Sequence, residues 1–67
     1  MDIEITTEFI KLDQLLKFAN LVYSGGEAKE VIAEGLVTVN GEVETRRGRK
    51  IYKGDTVVLE ENRINVC

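Results

Sequence analysis

Five cations fall within eight consecutive positions of this 67-residue chain: Arg46, Arg47, Arg49, Lys50 and Lys53. No acid interrupts them. Guanidinium groups present a planar fork of donors that matches phosphate oxygens, and a lysine adds a mobile point charge. The chemistry open to such a run is a grip on a polyanion. A plain solvated surface stretch is the alternative, and the charge of the remaining chain weighs against it. Residues 1–44 hold three lysines against nine acids, a net of −6. Residues 45–55 hold the five cations against Asp55, a net of +4, and residues 56–67 carry −1, so the whole chain is at −3. A polyanion answers to the local field more than to that sum.

A second anion site is suggested at Ser24-Gly25-Gly26, ahead of a helical segment. Glycines let backbone N–H groups approach an anion, and a helix N-terminus favours negative charge. The Walker spacing is missing. Two roles fit equally: plain capping by Ser24, or capping combined with phosphate binding through the same unpaired donors. Tyr52, next to the basic run, also has two roles open, stacking on a base or packing in the sheet, and its alternation with Ile51 favours packing.

Other chemistries are poorly served. The chain has no histidine, so the usual general base near neutral pH and any Ser-His or Cys-His pair are missing. Cys67 is a single, terminal cysteine, read as a free thiol on a frayed end. No CxxC, His/Cys cluster or calcium-loop spacing suggests a metal. We therefore expect no enzyme activity and no cofactor. The acidic N-terminus lacks a signal-peptide pattern and no apolar run spans a membrane, so a cytoplasmic monomer is expected.

The elements that must position these residues can be read from periodicity. Ile3–Thr6 alternates like a short strand. Leu12, Leu15, Leu16, Ala19 and Val22 make one helical stripe, predicting a helix over Lys11–Val22. Ser24 and Glu27 fit a capping box, predicting a second helix from about Gly26 to Glu34 with Ala28, Val31 and Ile32 inward and Gly35 as its stop. Asn40-Gly41 between Val37–Val39 and Glu42–Glu44 predicts a type I′ hairpin, with Val37, Val39 and Val43 on its buried side. Thr45–Lys50 reads as an exposed loop in which Gly48 fans out the arginines. Thr56–Glu60 is a strand, Glu61-Asn62 a turn, and Arg63–Val66 a last edge strand. The class is α+β in one domain, residues 1–67.

The order of these strings resembles the S4 RNA-binding domain. It runs Lys11-Leu12-Asp13-Gln14-Leu15-Leu16-Lys17, Ser24-Gly25-Gly26-Glu27-Ala28-Lys29, Val37-Thr38-Val39-Asn40-Gly41-Glu42 and Tyr52-Lys53-Gly54-Asp55. Ser24–Lys29 and Arg46–Lys50 are similar to strings of the short stand-alone bacterial S4-like proteins of the YbcJ/YaaA type. The resemblance covers about residues 11–59. It implies an αL motif, two short helices packed on a small, mostly antiparallel sheet. It also implies a non-catalytic partner role with structured RNA, such as ribosomal RNA. By position it points to Lys11, Gln14, Lys17, Ser24, Gly25, Gly26 and Lys29, with Arg46, Arg47, Arg49 and Lys50 in the loop, and the charge of the basic run adds Lys53. Lys11 stands where the family often has arginine, and Gly25 where Ser is often followed by arginine, so more weight falls on Arg46–Lys50. Exchanging Arg46, Arg47 and Arg49 together for alanine is expected to weaken RNA binding at little cost to stability. The rival reading is a protein-interaction module whose basic loop docks on an acidic or ribosomal partner. A third is a regulator holding a phosphorylated metabolite at Ser24–Gly26.

Overall fold

A computed structural model describes all of residues 1–67. Nine elements follow in order: β1 (Asp2–Ile3), β2 (Ile10–Lys11), α1 (Leu12–Phe18), α2 (Gly25–Ala33), β3 (Val37–Val39), β4 (Glu42–Val43), β5 (Lys50–Ile51), β6 (Thr56–Leu59) and β7 (Asn62–Val66). Five strands form one sheet in the order β1-β7-β6-β3-β4, and β2 with β5 forms a separate two-stranded ladder. Every pairing is antiparallel except β1 with β7. The two helices pack together and close one apolar core with the sheet: Leu12, Leu15 and Leu16 from α1, Ala28 and Ile32 from α2, and Val37, Val39, Ile51, Val57, Leu59, Ile64 and Val66 from the strands. This is the expected α+β arrangement of two short helices on a mostly antiparallel sheet.

The first helix is shorter than its apolar stripe. It ends at Phe18 because Asn20 takes a left-handed φ of 60°. The Asn20 N–H donates to the Lys17 carbonyl and the Leu21 N–H to the Leu16 carbonyl, a Schellman closure with asparagine in the glycine position. Val22 is still buried, but from outside the helix. The second helix closes by the same pair of bonds, from Gly35 (φ 78°) and Leu36 to Ile32 and Val31. Ala28 and Ile32 are buried as expected, with Val31 packed at the margin.

The hairpin turn is of type I′, with φ of 52° at Asn40 and 86° at Gly41. Its register corrects the expected buried face. Thr38 pairs with Val43, so Val43 shares the face of Thr38 and is 62% exposed, not buried with Val37 and Val39. The next residue, Glu44, then falls on the buried side, its N–H bonded to the Val37 carbonyl. Asn40 also braces a distant turn. Its side chain donates to Asp55 and accepts from the Thr56 N–H, at 3.0 and 2.9 Å.

The chain ends are more ordered than their sequences suggest. The turn between β6 and β7 falls at Glu60-Glu61, so Asn62 is already in the strand, and β7 is interior because β1 covers it as the edge. Cys67 is not frayed. Its N–H donates to the Ile3 carbonyl and its carbonyl accepts from Ile5, both at 2.9 Å, while the thiol stays exposed and free. Neither helix is long and apolar enough to cross a membrane.

Candidate nucleic-acid interface

The basic run is not a free loop. Lys50 belongs to β5 and pairs directly with Lys11 of β2, while Ile51 pairs with Ile10. Ile51 is fully buried and carries this short ladder into the core. Lys11 also serves as the N-cap of α1, with extended φ and ψ and no side-chain cap. The missing cap is supplied by the basic run: the Leu12 N–H donates to the Arg49 carbonyl at 2.9 Å and the Asp13 N–H to the Arg47 carbonyl at 3.1 Å. The Gln14 N–H turns to the Asp13 carboxylate. Helix-start amides need acceptors, and here loop carbonyls provide them. The backbone of residues 47–50 is thereby fixed against the start of α1, and its side chains are left to point elsewhere.

One acid enters this cluster. Glu44, 6% exposed, accepts from the Arg46 backbone N–H at 3.1 Å and from Arg46 Nε and Nη2 at 3.0 and 3.1 Å. Arg49 Nη1 adds a bond of 2.8 Å. These charge-assisted bonds lower the Glu44 carboxyl from 4.5 to about 2, first through Arg46 and then Arg49, against an opposing burial effect. The same contact raises the Arg46 pKa. Dividing the charge at residue 44 hid this acid from the basic segment. The signal that could have exposed it was the two-residue turn, which fixes the register and places Glu44 beside Val37. These bonds also bear on the triple substitution of Arg46, Arg47 and Arg49. Removing Arg46 and Arg49 strands a buried carboxylate, so that variant costs stability as well as charge.

Gly48 has no left-handed φ and a Cβ there would meet nothing, so a conformational need for glycine is absent. Arg49 N–H to Arg46 carbonyl closes the turn instead, at 3.2 Å. Arg46, Gly48, Arg49, Lys50 and Tyr52 together line a surface depression of about 480 Å³. Lys53 lines another, with Thr6, Thr7, Glu8 and Tyr52. Gln14 and Lys17 face a third, with Ile10 and the exposed Phe18.

At the second helix Ser24 is the N-cap, its Oγ accepting from the Glu27 N–H at 3.1 Å. The Glu27 carboxylate returns to the Tyr23 N–H, one residue earlier than a standard capping box. This carboxylate already supplies negative charge at the helix start. Gly25 and Gly26 open the helix, and a Cβ on either would meet at most Ser24 Oγ at 3.7 Å. Packing therefore does not demand glycine at these positions. Lys29 is exposed one turn on.

The architecture and this cluster define a small αL-motif domain with a fixed cationic face at the junction of β2, α1 and β5. The S4 domain model matches residues 3–67, and the chain belongs to that family. It is 52% identical over 58 residues to the probable ribosome maturation protein RlbA of Bacillus subtilis (strain 168), covering 87% of this chain and 82% of that one. It is 44% identical over 57 residues to YbcJ of Escherichia coli (strain K12), provisionally assigned as an RNA-binding protein, covering 85% and 81%. The solution structure of E. coli YbcJ, described as revealing an αL motif involved in RNA binding, superposes with a TM-score of 0.74 at 38% identity over 97% of this chain and 84% of that one. The match extends the resemblance at both ends, from 11–59 to 3–67, consistent with the pairing of β1 and β7.

Proposed function

We propose that this protein binds structured RNA without catalysing a reaction, gripping backbone phosphates with Lys11, Arg46, Arg47, Arg49, Lys50 and Lys53. The observation that carries this reading is the Lys11–Lys50 pair. Like charges placed directly opposite across a ladder destabilise it, so a fold that keeps them gains something other than stability from them. Glu44 supports the same reading: it orients two arginines in advance, which lowers the entropy lost when they meet a ligand. The names of the relatives favour RNA over other polyanions, and that of RlbA favours ribosomal RNA in a maturation step. Gln14, Lys17 and the Ser24–Gly26 turn with Lys29 extend the footprint. The Ser24–Gly26 turn is secondary, because Ser24 and Glu27 already use part of the α2 terminus.

A salt series tests the proposal. Six cations less the charge of Glu44 leave about five effective positive charges, so log affinity for structured RNA should fall against log salt with a slope of about −3.5 to −4.5. Substituting Arg47, Lys50 and Lys53, none of which bonds Glu44, should flatten that slope with the fold intact. Undetectable binding at low salt would reject RNA as the ligand and turn the search to an acidic protein partner.

A further inference from the structure

Tyr52 stands where the two depressions beside the basic cluster meet. It lines one with Arg46, Arg49 and Lys50, and the other with Lys53 and Thr7. Its ring is tilted 52° against Phe9 at a centroid distance of 6.0 Å, and the residue remains 43% exposed. Such a tilted pair is a favourable aromatic geometry. The Lys50 ammonium lies 4.8 Å from the Phe9 ring centroid, so a cation is held beside the aromatic pair.

The backbone under this ring is fixed. The Tyr52 N–H donates to Asp55 Oδ2 at 2.8 Å, the Asp55 N–H returns to the Tyr52 carbonyl at 3.0 Å, and Asn40 holds the other Asp55 oxygen. Ile51, immediately before, is fully buried. Tyr52 is therefore neither packed in the sheet nor loose on a mobile loop. Tyr23 is still more exposed, at 97%, but lines none of the three depressions.

We propose that Tyr52 is a stacking platform for one unpaired RNA base, whose flanking phosphates are met by Arg46, Arg49 and Lys50 on one side and by Lys53 on the other. The inference rests on the RNA-binding reading and narrows it: the target is a helix with an unpaired nucleotide, in a loop or a bulge, rather than an uninterrupted duplex. An aromatic ring accepts any base, since every base presents a π face, so the subsite selects for an unstacked base more than for its identity.

The test compares two RNA stem–loops by fluorescence anisotropy across a salt series. One carries a six-adenine loop, and the other carries abasic riboses at the same six positions. Both have the same phosphates. The wild type should prefer the adenine loop by about 5- to 150-fold, the range expected for one base stacked on an aromatic side chain. Tyr52→Phe should keep that preference. Tyr52→Leu, which retains an apolar contact for Phe9, should remove it and leave the salt slope unchanged, with a thermal melt confirming the fold. Equal affinity of the wild type for both loops, or a preference that survives in Tyr52→Leu, would overturn the stacking site and leave the phosphate grip standing. Failure to bind either RNA would overturn both readings.

Discussion

Replacing Glu44 by glutamine should destabilise the domain by removing one charge and leaving its shape. The carboxylate accepts four hydrogen bonds, three from Arg46 and one from Arg49. A glutamine amide keeps one oxygen and turns an NH₂ toward guanidinium donors. Charge-assisted bonds in a protected site are worth about 1.5–3 kcal/mol, and exposed ion pairs at most about 1 kcal/mol. Arg46 is 75% exposed and Arg49 36%, so the lower half of that range applies. We expect a loss of about 2 kcal/mol, which for a domain of this size lowers the melting temperature by about 8–16 °C. The pH dependence is a sharper check. The folded carboxyl sits at about 2 against 4.5, a depressed value, so its contribution is complete above pH 4.5 and is lost as pH falls toward 2. Circular-dichroism melts of wild type and Glu44→Gln should therefore differ by the same amount at pH 7 and pH 5 and converge near pH 2. Identical melts at pH 7, or a gap undiminished at pH 2, would refute the role assigned to this carboxylate.

Three further outcomes are expected. Lys50→Glu should place opposite charges across the β2–β5 ladder while losing the ammonium contact with Phe9, so the two effects offset and stability in urea denaturation stays within about 0.5 kcal/mol of wild type, while RNA binding in the salt series weakens. Ser24→Ala should cost about 0.5–2 kcal/mol, the loss of one N-cap bond, with α2 amides exchanging faster with solvent. Asn40→Ala should cost more than Asn40→Gly. Glycine accepts the left-handed φ and gives up only the side-chain bonds to Asp55 and Thr56, whereas alanine is strained there as well, and chemical denaturation of both variants separates the two contributions.

The sequence made some of this architecture legible and hid the rest for identifiable reasons. The start and end of α2 and the Asn40-Gly41 turn were readable because single residue types, Ser24, Gly35 and Gly41, each answer a specific backbone requirement. The end of α1 was misplaced because Ala19 and Val22 continue the apolar stripe past the helix, and asparagine gives a weaker stop signal than glycine. The β2–β5 ladder was invisible: two residues per strand leave no alternation to detect, and the contact joins positions 39 apart in the chain. The basic cluster was legible as composition, but its form was not. Glu44 could be recognised as its organising acid only through the hairpin register, and the exposure of Tyr52 depended on the Asp55 turn that lifts it out of the strand pattern.

The parallel pairing of β1 with β7 has a consequence for how the molecule assembles. Asp2 meets Asn65, a span of nearly the whole chain, whereas β3 and β6 join residues such as Val37 and Leu59. Closing the longer loop costs about 1 kcal/mol more in chain entropy, and nothing is gained from it until the rest is in place. The β1 edge is therefore a late-forming and early-opening seam, while the cationic face is tied to the start of α1 and to Ile51 in the core. Opening at the β1 edge alone leaves the Arg46–Lys50 cluster tied to α1, and the Lys53–Asp55 turn stays folded as long as β7 keeps its Val66 bonds to Gly54 and Asp55.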